Sequence, residues 1–537
     1  MNLPELSSKA APEFRDAAAC KAWLEHVPLA NTGTAQLQLL KQVEQFNRFK
    51  TDAAARLAVM ETLREAVNFV QIEQAKRFAN RALPMAEGES KIFDGTIELW
   101  EQMRLGYVRC LEAAASGEAG MRTQAALICQ RALAYSGLRM FHHHRAYRQV
   151  AAADWRGLHE VYAIAERLKI AGEAVKDFLN RDVHDTSPRI AYARAVLMAM
   201  CNPNELNQRQ LTFVAFLLER WGNKVEVLSE PVDEGEGVPP LVADLAGERC
   251  PERLNPPSET IKQPRYVDLR KISKSLRNRV GLLRKGESPS KLALGEDCVQ
   301  PSCEQLLVFL YRQWCQAKAG RGLDRKETGA TAEVTSELPA IHYYLSGRAF
   351  RQQQGEQKEL TQKQREEIAT FGRVSTRDED DYSEAHGFVL ESWQLIDESA
   401  HGLHILRKAG VAGRRYTHGQ LMIVRPSGSK SFMLGQIRWL TAAQNGDLHA
   451  GIKLLPGLPA ATAVRPTGLN VKDQYTQAVS LTAVKALNSP PSLVLPVGWF
   501  KPNRIIEVFV ESSIRVRLAE LVERGSDFER VAYELVK

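Results

Sequence analysis

The chain has 537 residues, of which 44% are hydrophobic and 25% charged, a composition typical of a soluble globular protein with two to four domains. Its net charge of +7 suits an anionic ligand but differs from a strongly basic nucleic-acid-binding tail, so we expect no DNA or RNA partner. No apolar run reaches the roughly 18 residues that span a bilayer, and no signal peptide is recognisable, so the sequence predicts a cytoplasmic protein without a membrane span.

Residues 1–225 are predicted to form an all-α domain. Apolar residues recur at three- and four-residue steps from Leu37 to Phe46, which is the spacing of an amphipathic helix. Asn207 and Gln210 match the capping pair at the start of a helix. Further helices are predicted at about 53–77, 91–117, 121–150, 154–180, 187–202 and 207–222. A helical bundle and a helical-repeat array both fit this pattern, and such domains usually dock protein partners.

The next stretch changes in composition. Residues 226–265 carry seven prolines and the acidic run DEGEG, and are predicted to be a Pro-rich linker. Residues 266–350 are predicted to be a small helical unit, with helices over Asp268–Lys285 and Ser302–Ala319 and a short strand over Ala340–Leu345. The first of these helices is strongly basic. A solvated face opposite a core stripe is one interpretation, and contact with an anionic partner or a membrane surface is the other.

The C-terminal part of the chain is predicted to be β-rich. Residues 351–385 form a connector, and residues 386–465 contain successive short strands in the order of an antiparallel barrel. These strand candidates are 387–396, 403–407, 419–425, 431–440 and 448–454. Residues 466–537 are predicted to be a C-terminal β extension, with strand candidates at 476–484, 492–496 and 504–510. The predicted fold class is therefore α+β and multidomain, with an N-terminal helical bundle or array followed by a small antiparallel β-barrel and its β extension.

Two short motifs point to a ligand. Arg373 and Arg377 form an R-x-x-x-R pair in the connector, and Asp397, Ser399 and Gly402 form a D-x-S-x-x-G turn between the first two barrel strands. The planar fork of arginine binds both phosphate and the O6/N7 edge of guanine through two hydrogen bonds. A D-x-S turn can exchange hydrogen bonds with a base, and glycine allows a sharp entry into the next strand.

These two motifs, followed by the strand patterns GQLMIV and LGQIRWL, resemble the PilZ domain, a receptor for cyclic di-GMP. The resemblance covers about 365–465 and implies a bacterial signalling protein with cyclic di-GMP as a regulatory ligand and no cofactor. It implies that the arginine pair binds phosphate and guanine groups of an intercalated nucleotide dimer. It also implies that the D-x-S-x-x-G residues hold a base against the barrel.

The sequence is compatible with three functions. The leading one is a cyclic di-GMP effector in which the nucleotide closes the arginine arm, changes the domain arrangement and thereby regulates a protein docked on the helical domain. The alternative is a non-enzymatic scaffold with a degenerate PilZ domain that binds proteins but not nucleotide, which the acidic run Asp378–Asp381 favours. The third is a hydrolase or transferase. The sequence contains no nucleotide-hydrolase, zinc-protease, serine-hydrolase or dinucleotide motif, and no catalytic signature of cyclic di-GMP turnover, so we predict no enzyme.

Metal binding is not expected either. His142–His144 lies on a predicted helix without cysteine or carboxylate at metal spacing, which favours a packing role. Cys298, Cys303 and Cys315 lack the C-x-x-C spacing of a zinc site. The eight cysteines of this chain are expected to be free thiols, most of them buried.

Overall fold

Two units make up the chain in this computed structural model: residues 1–81 with 85–322, and residues 82–84 with 323–537. The structure describes residues 3–231, 238, 241–253, 260–295, 297–300, 302–316, 326–327, 329–352, 383, 385–467, 474–510 and 512–536. Over these ranges, no helix combines the length and the apolar character needed to cross a membrane.

The first unit is mainly helical. Its helices are α1 (Ala17–Leu24), α2 (Thr32–Arg48), α3 (Ala53–Ala75), α4 (Glu87–Ser116), α5 (Ala125–Arg145), α6 (Ala152–Arg167), α7 (Pro188–Met200), α8 (Gln208–Trp221), α9 (Arg270–Arg284) and α10 (Ser302–Cys315). The predicted helices are thus confirmed, with one shortened: α6 ends well before residue 180, because Lys169 adopts a positive φ of 61°. Asn207 and Gln210 form the predicted capping box at the start of α8. Apolar faces of these helices meet in one continuous core.

Short strands complete the first unit. They are β1 (Val175–Lys176), paired with β2 (Asp185–Thr186), and β3 (Glu226–Leu228), β4 (Leu241–Asp244) and β5 (Pro264–Asp268), which form a sheet in the order β3-β5-β4. The last three lie within or at the edge of the stretch expected to be a Pro-rich linker. Its apolar residues Leu241 and Ala243 are fully buried in the helical core, and this burial makes the stretch part of the unit.

Two cysteines differ from expectation. Cys298 and Cys303 form a disulfide, with Cα atoms 5.0 Å apart, which corrects the expectation of free thiols for this pair. None of the other six cysteines forms a disulfide within the described residues, and five of them are buried.

The second unit contains a closed antiparallel barrel, here called the first barrel. Its strands are β7 (Thr331–Ser336), β8 (Glu391–Ser399), β9 (Gly402–Arg407), β10 (Leu421–Pro426), β11 (Met433–Ala442) and β12 (Leu448–Leu454). They pair in the order β8-β7-β10-β11-β12-β9, and pairing of β8 with β9 closes the ring. A two-residue strand, β6 (Lys326–Glu327), extends the sheet beside the end of β8.

Two features of this barrel differ from the sequence-based expectations. The strand that lies between β8 and β10 is β7, which precedes the expected barrel range of 386–465. The strand predicted over Ala340–Leu345 is wrong: these residues belong to α11 (Leu338–Ser346). A short apolar run does not distinguish a strand from a buried helix by periodicity, and Pro339 occupies a favoured position in the first turn of this helix.

A second closed barrel follows. Its strands are β13 (Pro459–Pro466), β14 (Thr476–Leu481), β15 (Ser492–Pro496), β16 (Ile505–Phe509), β17 (Ser513–Arg524) and β18 (Phe528–Leu535), in the order β13-β14-β15-β18-β17-β16. The predicted α+β multidomain class is confirmed, and the C-terminal β extension is this second barrel. Apolar residues of both barrels and of α11, among them Ile341, Leu421 and Phe528, form a shared core cluster inside the second unit.

Candidate functional site

The D-x-S-x-x-G motif forms the hairpin between β8 and β9. Ser399 Oγ donates a hydrogen bond to the carbonyl oxygen of Gly402 at 3.1 Å, which closes the turn. A Cβ atom on Gly402 would lie 2.7 Å from the carbonyl oxygen of Ile452 on β12, so a larger residue would push the hairpin away from that strand. Ser399 and Gly402 therefore shape the turn, and the motif's carboxylate, Asp397, precedes it on β8.

Asp397 begins a row of four residues that crosses four neighbouring strands. It pairs with His404 on β9, His404 pairs with Gly451 on β12, and Gly451 pairs with Trp439 on β11. We call these four residues the cross-strand row. Directly paired residues project from the same face of a sheet. The adjacent Ile405 is fully buried in the barrel interior, so the row lies on the outer face of the first barrel.

The glycine in this row leaves room for the indole of the neighbouring strand. A Cβ atom on Gly451 would come within 1.9 Å of Trp439 Nε1, which is far too close for two non-bonded atoms. With no side chain there, the rings of Trp439 and His404 approach to 5.1 Å between centroids. The result is a half-buried aromatic surface, made by residues on β9 and β11, that covers β12 between them.

Histidine and carboxylate groups continue this surface. His404 Nε2 lies 3.1 Å from His449 Nδ1, and His404 Nδ1 lies 3.5 Å from Asp397 Oδ2. Burial, and then the neighbouring His404, lowers the pKa of His449, so this ring is neutral at neutral pH. Asp397 thus places a carboxylate at one end of the row, and the imidazole of His404 lies between it and the indole.

Cationic side chains lie beside the row. Arg438 is exposed at the β11 irregularity immediately before Trp439. Lys453, on the outer face of β12, donates to Glu523 of β17 at 2.6 Å. The Trp439 and His404 rings are tilted by 59° to each other, so each offers its own face. An aromatic face with a carboxylate on one side and a guanidinium on the other can bind a planar ligand that combines hydrogen-bond donors with negative charge.

The barrel interior near the start of β8 is polar as well as aromatic. Glu391 is buried and accepts hydrogen bonds from Trp393 Nε1 and Arg407 Nη1, each at 3.0 Å. The Arg407 guanidinium also lies over the Trp393 ring, 5.3 Å from its centroid, and near the Tyr416 ring at 5.8 Å. This network ties β8 to β9 from inside and so fixes the strands that carry Asp397 and His404.

The predicted site residues are thus only partly described. The structure brings Asp397, Ser399 and Gly402 together in one hairpin. Arg373 and Arg377 lie outside the described residues, as does the acidic run that follows them. Sequence reasoning missed the other members of the surface, which are His404, Trp439, His449 and Gly451. The signal was present in LGQIRWL and LHAGIKL, but reading it requires the strand register.

The histidine run is a separate cluster in the first unit. His142 and His144 on α5 are 3% and 7% exposed, and burial lowers the pKa of both. Within the described ranges, no group of three or more His, Cys, Asp or Glu side chains is arranged to hold a metal ion. The packing interpretation of this run is consistent with its burial.

A helical unit followed by two closed antiparallel barrels defines the architecture, and two family models match its ends. One, described as the N-terminal domain of the cyclic-di-GMP receptor FimW, matches residues 18–232, and the other, described as the FimW C-terminal beta-barrel domain, matches residues 460–536. The second match covers nearly the whole second barrel. The first barrel lies between the two matched regions.

A curated relative matches nearly the whole chain. The cyclic-di-GMP receptor FimW of Pseudomonas aeruginosa is 21% identical over an alignment 530 residues long, which covers 91% of this chain and 85% of the relative. Together these matches support a family of cyclic di-GMP receptors. The PilZ resemblance stays a prediction, because neither family description names that domain.

Proposed function

We propose that this protein is a cyclic di-GMP-binding effector whose first barrel holds the nucleotide. The observation that carries the proposal is the cross-strand row, which joins the Asp397 carboxylate to the Trp439 and His404 rings on one outer face. Similarity to the FimW receptor over most of the chain supports the choice of ligand. The nucleotide is a regulatory ligand and not a cofactor, and the protein is a receptor and not an enzyme.

Each group in the row matches a part of the ligand. One guanine stacks on the Trp439 indole beside His404, and its N–H donors face the Asp397 carboxylate. Stacking of a base on an aromatic side chain contributes about 1–3 kcal/mol. A carboxylate that accepts two N–H bonds discriminates guanine from adenine, because adenine has no donor at the matching ring position.

The phosphates are assigned to the arginine pair. Arg373 and Arg377 precede β8 in sequence and, in this proposal, fold over the ligand so that their guanidinium groups bind phosphate and guanine O6/N7. The exposed Arg438 at the edge of the row adds positive charge on the same side. An intercalated nucleotide dimer would place two of the four guanines against protein side chains.

Binding is proposed to act on a partner protein in the cytoplasm. Closure of the arginine pair over the nucleotide changes the domain arrangement. The helical unit is the surface that docks the partner. The scaffold alternative, in which the barrel binds proteins but no nucleotide, predicts partner capture that is independent of cyclic di-GMP.

Base selectivity tests the proposed pose. Isothermal titration calorimetry compares cyclic di-GMP with cyclic di-AMP for the wild type, Asp397→Ala and a control, Glu520→Ala, which removes an exposed carboxylate from the second barrel. We expect Asp397→Ala to weaken cyclic di-GMP binding by roughly 5- to 150-fold, the effect of about 1–3 kcal/mol, with little change for the control. Equal affinity of the wild type for both nucleotides would contradict the role assigned to Asp397.

A further inference from the structure

The first unit contains a cavity that the proposed nucleotide site does not use. Its volume is about 300 Å³, within the range of pockets that hold metabolite-sized ligands. Its walls come from α3, α4, α5, α7 and α8, with Leu179 and Asn180 closing one side. Ile72, on the cavity wall, is 46% exposed, so the cavity opens to solvent there.

Four buried polar atoms of the lining residues have no hydrogen-bond partner within the described structure: Arg64 Nε, Trp100 Nε1, Tyr135 Oη and His142 Nε2. Trp100 Nε1 is a donor on a side chain that is 1% exposed, and His142 Nε2 belongs to a side chain that is 3% exposed. His142 Nδ1 donates to the carbonyl oxygen of Leu138 at 2.8 Å, and burial lowers the pKa of His142 to about 3. Its Nε2 is therefore an unprotonated acceptor. A buried donor and a buried acceptor left unpaired are costly, which indicates that a bound group satisfies them.

The charges in the wall favour an anion. Three arginines face two carboxylates, and His142 is neutral, so one positive charge is in excess; the five charged residues are Arg64, Arg145, Arg194, Asp177 and Glu219. Arg64 is held by Asp177 at 2.6 Å, whereas Arg194 donates to Asn180 Oδ1 at 3.0 Å and lies 4.0 Å from Glu219.

Burial lowers the pKa of both Arg145 and Arg194, so the surroundings disfavour their charge. A bound anion would offset this cost.

The rest of the lining is apolar and aromatic. Phe141, Leu138, Met198 and Leu218 cover much of the wall, and the Trp100 ring lies 5.8 Å from His142 between centroids. We propose that this cavity binds a small organic monoanion with a flat or apolar body and one hydrogen-bond donor. The anionic group lies toward Arg194, the body contacts the apolar wall, and the ligand supplies an acceptor to Trp100 and a donor to His142.

A dye with this chemistry tests the proposal on the full chain. 8-Anilinonaphthalene-1-sulfonate carries one sulfonate, an aromatic body and one N–H group, and N-phenyl-1-naphthylamine has the same body without the sulfonate. Titration by calorimetry and fluorescence should give one saturable sulfonate site per chain, with the uncharged analogue at least 10-fold weaker. No saturable site, or equal affinity for the two dyes, would overturn the proposal.

Matched variants assign that site to the cavity. Arg194→Met should weaken sulfonate binding at least 10-fold, Trp100→Phe severalfold, and Arg194→Lys least, because it keeps the charge. The control Arg209→Met removes an exposed arginine from α8 and should bind like the wild type. Circular dichroism and thermal unfolding identify variants that fail to fold, in which case the Arg194→Lys and Trp100→Phe results decide. Unchanged binding in both Arg194→Met and Trp100→Phe would overturn the assignment.

Cyclic di-GMP separates this proposal from the nucleotide site. Saturating nucleotide should leave the dye stoichiometry at one per chain, because the two ligands occupy different units. Complete competition would assign the cavity to the nucleotide and overturn the proposal. Dye binding that persists when the chain shows no nucleotide binding would sustain it, while contradicting the proposed function.

Discussion

Trp439 and Gly451 face each other on adjacent strands of the first barrel, and the indole occupies the space that a side chain at position 451 would need. Because position 451 on β12 has no side chain, the Trp439 ring reaches across β12 to His404 on β9, at 5.1 Å between ring centroids. Gly451 does not have a positive φ, so glycine is required at this position by side-chain packing and not by backbone conformation. The aromatic surface depends on it.

The first prediction concerns this glycine. Gly451→Ala should displace the Trp439 ring and weaken cyclic di-GMP binding by roughly 10-fold or more, the loss of about one stacking contact of 1–3 kcal/mol. Calorimetric titration measures the effect, and circular dichroism checks that the barrel is folded. The control Gly329→Ala adds a Cβ where nothing lies within 4 Å and should leave binding unchanged. Wild-type affinity in Gly451→Ala would mean that the indole does not contact the ligand.

The second prediction tests whether affinity for the nucleotide depends on an aromatic ring at position 439. Trp439→Ala should cost roughly 5- to 150-fold in affinity for cyclic di-GMP, whereas Trp439→Phe should retain most of it, since any aromatic face stacks on a base. Trp23, a partly exposed tryptophan of the first unit, provides the control Trp23→Phe. Indistinguishable affinities for Trp439→Ala and Trp439→Phe would contradict stacking of a base on this ring.

The third prediction concerns the interior pair beneath the row. Arg407→Met leaves Glu391 buried without its cation and should destabilise the first barrel by about 3–5 kcal/mol. The double variant Arg407→Met with Glu391→Gln should recover a large part of this loss, because no unpaired charge remains while the amide oxygen introduced on β8 still accepts from Trp393. Hydrogen exchange followed by mass spectrometry localises the effect, with peptides of the first unit as an internal control. A double variant less stable than Arg407→Met would show that the unpaired charge of Glu391 does not cause the loss of stability.

The fourth prediction concerns pH. Asp527 accepts a hydrogen bond from the Leu421 backbone N–H at 2.9 Å, and burial raises its pKa to about 6. Because the folded pKa lies above the ordinary value of 3.8, the stabilising contribution is complete below about pH 4 and is lost as the pH rises through 6. Unfolding measurements between pH 4 and 7 should show this loss in the wild type and a flatter profile in Asp527→Asn.

Glu507 in the second barrel provides a control, because its pKa is shifted in the opposite direction. Burial raises the pKa of Glu507, but hydrogen bonds from Ser513, Tyr475 and Arg465 outweigh it and lower the pKa to about 2. Its contribution is present above the ordinary value of 4.5 and is lost as the pH falls toward 2, so the difference in unfolding free energy between the wild type and Glu507→Gln should be largest above pH 4.5 and shrink as the pH falls toward 2. A profile of Asp527→Asn that matches the wild type throughout would contradict the role of Asp527.

The sequence was informative where periodicity is strong and local. The helices of the first unit and most strands between 391 and 509 were recognisable from apolar spacing. β17 was missed because its outward positions are largely charged, as in IRVRLAELVER, and β7 because it is separated from β8 by more than fifty residues. β18 was missed because its buried residues include the charged pair Glu529 and Arg530, which interrupts the apolar pattern. Pairing over such distances depends on tertiary packing, which single-strand propensity does not report.

The candidate site divides in the same way. Asp397, Ser399 and Gly402 were found because the hairpin motif is contiguous in sequence. Trp439 and Gly451 were not, because their relation appears only when the irregularity between Ile437 and Trp439 is counted into the register. An isolated tryptophan or glycine in a strand carries no such signal by itself.

Calorimetric titration of the full chain with cyclic di-GMP tests the central claim most directly. The account predicts saturable binding of micromolar affinity or better, about −8 kcal/mol, that is lost in Arg373→Ala with Arg377→Ala and kept in the exposed control Arg517→Ala. No heat from the wild type, or unchanged binding in the double arginine variant, would contradict it.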